Sequence, residues 1–134
     1  MVESLRSRDT WPRTSHSSSA EVPASASCAR LFAKSGMQVA IAARTPDKPV
    51  LQNLERMHGV RRYACDASEP AAVELLFQNV VRDLGAPRLV VHNIDGRVAG
   101  IFRKGITEAD ASMALGTLRN SGLSAFLGGR QAAR

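Results

Sequence analysis

Two periodicities alternate along this chain. From Ala26, Cys28, Leu31, Phe32 and Ser35 fall at helical spacing, and Gly36 supplies the stop. Met37 to Ala43 is then apolar except for Gln38. A run that short, directly after a glycine, reads as a buried strand over 38–43. Thr45, Pro46, Asp47 and Pro49 make a turn into a second helix. That helix carries Leu51, Leu54 and Met57 inward and ends at Gly59. Val60, Tyr63 and Cys65 predict a short strand with Arg61 and Arg62 at its start. Ser68, Glu69 and Pro70 open the clearest helix, in which Val73, Leu76, Phe77, Val80, Val81 and Leu84 form one apolar stripe closed by Gly85.

The run Leu89-Val-Val91 ends abruptly at Asn93 and Gly96, which predicts another buried strand over 88–92 delivering a polar side chain to a sheet mouth. Thr107 and Asp110 have capping-box spacing and open a helix through about Leu118. Leu123 to Ala133 reads as a last helix, weakened by Gly128-Gly129. Strands alternating with helices of these lengths predict an α/β fold: a partial Rossmann-like parallel sheet with flanking helices and right-handed crossovers.

Residues 1–25 differ in character. Their serines, Pro12 and Pro23, and few large apolar side chains predict a disordered lead-in before an incomplete Rossmann-like domain over 26–134. The full 134 residues suffice for one modest domain. No run approaches a membrane span and no apolar signal segment follows the N-terminus. Two cysteines, Cys28 and Cys65, read as an intracellular thiol pair, and a cytoplasmic location is expected. The net charge of +6 invites a small basic nucleic-acid binder as one reading. The arginines are scattered, however, and no aromatic side chains interleave with them, so a dispersed solvated surface competes with it. His16, His58 and His92 are too far apart for a metal site, so no metal is expected. Ser124 with His92 suggests no triad.

Residues 28–134 resemble the short-chain dehydrogenase/reductase family. The resemblance is carried by the order of Ala29-Arg-Leu-Phe-Ala-Lys-Ser-Gly36, Val39-Ala-Ile-Ala-Ala-Arg44, Cys65-Asp66-Ala67-Ser68, Val90-Val-His-Asn93 and Ala125-Phe-Leu-Gly-Gly-Arg-Gln-Ala-Ala-Arg134. It implies an oxidoreductase ancestry and roles for three residues. Arg44 would face the 2′-phosphate of NADP, since a guanidinium can chelate a phosphate with two parallel hydrogen bonds. Its alternative is a solvated strand-end arginine. Asp66 would accept from the adenine amino group, or cap the following helix. Asn93 would steady the central strand and the cofactor, or serve as a turn residue.

The departures from the family's pattern shape the functional expectation. Its phosphate-binding glycines align with Ser19, Pro23 and Ser25, which offer neither positive φ nor close backbone approach. No apolar first strand precedes them. The usual Asn-Ala-Gly reads Asn93-Ile94-Asp95, and the supporting asparagine of the later helix aligns with Ser121, one residue from Asn120. The catalytic serine and Tyr-x-x-x-Lys would lie beyond Arg134, and the one tyrosine, Tyr63, is followed four residues on by Ala67. No catalytic residue is therefore assigned. The expectation is a truncated dehydrogenase-like protein, or a translated gene remnant, with NADP binding weak or lost. A non-catalytic module that self-associates, or pairs its sheet edge with a full-length relative, is the alternative.

Overall fold

A computed structural model describes residues 24–101 and 105–134 of the chain. The disordered lead-in expected at the N-terminus lies, up to residue 23, outside the described residues. In chain order the elements are helix α1 (Ala24–Lys34), strand β1 (Val39–Ala43), helix α2 (Pro49–Glu55), strand β2 (Val60–Ala64) and helix α3 (Pro70–Leu84). Helix α4 (Ala111–Leu118) then passes through a five-residue π-helix (Arg119–Leu123) into helix α5 (Ser124–Ala132). The fold is α/β, with β1 and β2 forming a parallel two-stranded sheet.

Local chemistry accounts for most of these boundaries. Proline at the first helical position starts both α2 and α3, where its missing N–H costs nothing. Helix α3 ends at Gly85, whose φ of 91° would strain a side-chain-bearing residue. Helix α4 is capped by Asp110, whose carboxylate accepts the Ser112 N–H at 2.9 Å. This corrects the expected Thr107 start: Glu108 and Ala109 donate instead to the Gly105 carbonyl, so this stretch turns before the helix begins.

Two small cores lie on opposite faces of the sheet. On one face Ala26 and Ala29 of α1 meet Leu54 of α2 and Val60 of β2, with Val39, Ile41, Leu51 and Met57 around them. On the other, Cys65 and Val73 meet Leu127 of α5, with Leu76 and Phe77 alongside. Small alanines, rather than Leu31, make the inner face of α1; Leu31 is exposed. Of the α3 stripe only Val73 is buried; Leu76, Phe77, Val80 and Leu84 are half-buried and Val81 is exposed.

The largest departure is at 88–92. No strand forms there among the described residues, and Leu89, Val90 and Val91 are exposed. The apolar run has the composition of a buried strand, but a strand exists only against a hydrogen-bonded neighbour. The segment instead runs beside the α4–α5 rod, antiparallel to it. His92 contacts Ser124, Gly96 packs on Ser121, and the Val98 N–H donates to Thr117 Oγ1 at 3.2 Å.

Candidate functional site: the carboxyl ends of two parallel strands

The register of the sheet brings two of the three expected residues together. Ala43 pairs with Ala64, and the Cys65 N–H donates to the Ala43 carbonyl at 3.0 Å. Arg44 and Asp66 therefore leave the same end of neighbouring strands. In open parallel sheets this carboxyl end is where ligands bind. Arg44 is exposed and Asp66 half-buried.

Asp66 is held by Ser68, two residues on. Its Oδ1 accepts from the Ser68 hydroxyl at 2.7 Å and from the Ser68 N–H at 3.0 Å. This Asx-turn leads the chain into α3 and fixes the carboxylate. The two bonds from Ser68, hydroxyl first, hold the Asp66 carboxyl below its ordinary range; partial burial opposes this, and the nearby charges of Arg44 and Arg119 assist it. The helix-cap reading is corrected, since Glu69 is the N-cap of α3 and no side chain caps it; Asp66 Oδ1 makes the preceding turn, and Oδ2 has no hydrogen bond among the described residues.

Arg119 enters this neighbourhood from the start of the π-helix, where it pairs with Glu69. Sequence reasoning missed it, since nothing local signals a pairing across 50 residues. Arg62 was also missed. It donates to Glu55 Oε2 at 2.7 Å and to the Pro46 carbonyl at 2.6 Å. It thereby ties the loop after Arg44 to the end of α2. The Glu55 hydrogen bond raises the Arg62 pKa further above its ordinary value. Arg61 and Arg82 pair with Asp83, and Arg97 with Asp95. Among the described residues five arginines, Arg61, Arg62, Arg82, Arg97 and Arg119, are thus engaged in ion pairs.

Asn93 is not brought to Arg44 or Asp66 by any hydrogen bond, and it is exposed. Its surroundings are nonetheless built. Gly96 is buried against the π-helix, where a Cβ would come within 2.6 Å of the Ser121 backbone nitrogen. Only glycine fits this approach. The π-helix spans Ser121, the position the resemblance aligns with a supporting asparagine, and its neighbour Asn120. Such one-turn π segments are frequent at functional sites. Asp95 pairs with Arg97, which counters its charge.

Two candidate chemistries can be judged on geometry. Tyr63 donates its hydroxyl to Asp83 Oδ2 at 3.1 Å, and its pKa is raised, by burial first and then by that bond. A proton relay needs the opposite shift. His92 Nε2 does lie 2.8 Å from Ser124 Oγ. However, the Ser124 hydroxyl is within 2.6 Å of the Asn120 carbonyl and 3.0 Å of the Ser121 carbonyl, and the residue is 1% exposed. The serine proton goes to the backbone, so the imidazole donates to Oγ rather than withdrawing from it. This is a structural tie. Among the described residues no cluster of His, Cys, Asp and Glu could hold a metal, and no helix is long and apolar enough to cross a membrane.

The profile described as enoyl-(acyl carrier protein) reductase matches residues 24–134. The chain belongs to this short-chain dehydrogenase/reductase family. The match begins at the first residue of α1 and runs to the end of the chain, just past α5. It supports an oxidoreductase ancestry, and members of the family typically bind NAD(P). No curated protein and no solved structure gives a significant match.

Proposed function

We propose that this chain is a dehydrogenase-derived domain that binds the adenosine end of NADP and performs no hydride transfer by itself. The observation that carries the reading is the placement of Arg44 and Asp66 just beyond the carboxyl ends of the paired strands β1 and β2. The donor set suits the ligand. An exposed guanidinium matches the 2′-phosphate, and the unused oxygen of a carboxylate fixed by Ser68 matches the adenine amino group. Arg62 ties the loop after Arg44 to α2. Asn93, exposed on a separate segment, takes no part in this adenosine-end reading.

The pyrophosphate end suits the ligand less well. Of the three positions aligned with the family's glycines, Ser19 and Pro23 lie outside the described residues and Ser25 sits in the first turn of α1. None of them is glycine, so the close backbone approach that a pyrophosphate needs is not provided for. Binding energy is confined to one end of the cofactor. The bound cofactor would supply hydride chemistry, but the chain offers no tyrosine placed to move the accompanying proton. A cytoplasmic setting fits this reading, as a place where NADP is found.

A titration with 2′,5′-ADP, followed by amide chemical shifts, tests the proposal. Shifts are expected at Arg44, Asp66 and Ser68, with 5′-AMP producing weaker ones. Shifts confined elsewhere, or equal responses to both nucleotides, would overturn it.

A further inference from the structure

The two edges of the sheet differ in kind. In the β1–β2 ladder the Val39 N–H donates to the Gly59 carbonyl at 2.8 Å, and the Ala43 carbonyl accepts from Cys65. In a parallel pair the bonding residues alternate, so Val39, Ile41 and Ala43 face β2. The N–H and C=O groups of Ala40 and Ala42 point to the opposite edge. No strand lies there among the described residues. Both alanines are exposed, and neither offers a charge, a proline or a bulge against pairing. Strand β2, in contrast, carries charge, with Arg61 exposed. Natural sheets place charges on edges that must stay unpaired. By that standard β1 has the composition of an inner strand.

The same molecule exposes a run that suits such an edge. Leu89, Val90 and Val91 are 53%, 43% and 53% exposed. All three successive side chains are therefore uncovered. All three are uncharged and two are β-branched, the type that favours strands. Residues 88–92 also equal β1 in length, at five residues. Within one copy this run is held beside α5 by the His92–Ser124 bond and takes no part in the ladder.

We propose that the open edge of β1 and the Leu89–Val91 run are the two halves of a strand-exchange interface between two copies of this chain. Each copy gives its run to the other's β1. Both unpaired elements are then satisfied in both copies, and the arrangement closes as a two-fold dimer instead of propagating. The residues bearing the interface are Ala40, Ala42, Leu89, Val90 and Val91. It stands apart from the nucleotide reading, which uses strand ends rather than the strand edge.

Sedimentation across a concentration series, combined with residue-resolved hydrogen exchange on the full chain, tests this. The expected result is a doubling of mass on concentration, with exchange at the Ala40, Ala42 and 89–91 amides slowed roughly tenfold or more in the dimer. Ala42→Pro should abolish acceptance of a strand, because it removes an N–H that the β1–β2 ladder does not use. Val90→Lys should abolish donation. Each variant alone should stay monomeric, and the two mixed should form a one-sided heterodimer. A chain that is monomeric throughout would overturn the proposal. So would a dimer with unprotected Ala40 and Ala42 amides. Protection of those amides in a monomer would also overturn it, since the edge would then be covered by the chain's own residues.

Discussion

His92 Nε2 meets Ser124 Oγ at 2.8 Å, joining the end of the 88–92 run to the first residue of α5. The contact has the outline of a nucleophile and its base, but its proton order is reversed, because the serine is committed to backbone carbonyls. A fluorophosphonate probe is therefore expected to leave Ser124 unmodified in the folded protein. Ser124→Ala should cost about 0.5–1.5 kcal/mol of stability and speed exchange across 89–92, because a neutral hydrogen bond is lost and the exposed imidazole rehydrates. Stoichiometric labelling of Ser124 would contradict the structural role.

Gly96 makes a second tie between the same segments. A methyl group there would collide with the backbone of Asn120 and Ser121, which cannot yield as a flexible side chain would. Gly96→Ala is expected to destabilise by about 1–3 kcal/mol, in the range of overpacking. The measurement is urea denaturation. An unchanged midpoint would show that the loop does not sit against the π-helix as described.

Leu54 is 1% exposed at the centre of the core formed by α1, α2 and the sheet. Leu54→Ala should remove about 2–5 kcal/mol. In a domain with two small cores that loss approaches the whole of a typical stability. The expected outcome is a chain largely unfolded at room temperature by near-ultraviolet and amide spectra. Retained cooperative unfolding with a small midpoint shift would place the main core elsewhere.

Cys65 is buried while Cys28 is only half-buried. Burial first, and the neighbouring Asp66 charge second, push the Cys65 thiol pKa up. Its folded value lies above the unfolded one, near ~8.5. The associated stability is therefore complete below that pH and is lost as pH rises through the folded value. Iodoacetamide at neutral pH should modify Cys28 first and Cys65 only on unfolding. Stability should decline with alkaline pH, and this decline should be reduced in Cys65→Ala. Faster labelling of Cys65 would contradict its placement.

Much of the fold was legible because its signals are local. Pro49 and Pro70 mark helix starts, and the α3 stripe and Gly85 delimit a helix that forms at Pro70–Leu84. Asp66 with Ser68 two residues on is a turn signature, and it forms as one. The illegible parts depend on neighbours far along the chain. Leu89–Val91 has strand composition, yet pairing is a property of two segments and the described residues supply only one. The π-helix that joins α4 to α5 has no sequence signature, and Gly128-Gly129 do not break α5. Arg119 with Glu69, and Arg62 with Glu55 and Pro46, were hidden among residues that looked like solvated charge.

The central claim is that Arg44 and Asp66 form an adenosine-end site that prefers NADP. Calorimetry with NADP and NAD, on the natural chain and on Arg44→Ala, tests it most directly. With contacts confined to one end of the ligand, NADP affinity is expected at high micromolar or weaker, about −5 kcal/mol. An exposed guanidinium on a phosphate should favour NADP over NAD by about tenfold, ~1.4 kcal/mol. The account predicts that Arg44→Ala erases this difference and leaves NAD binding unchanged. Equal binding of the two nucleotides by the natural chain, or a preference that survives Arg44→Ala, would contradict it.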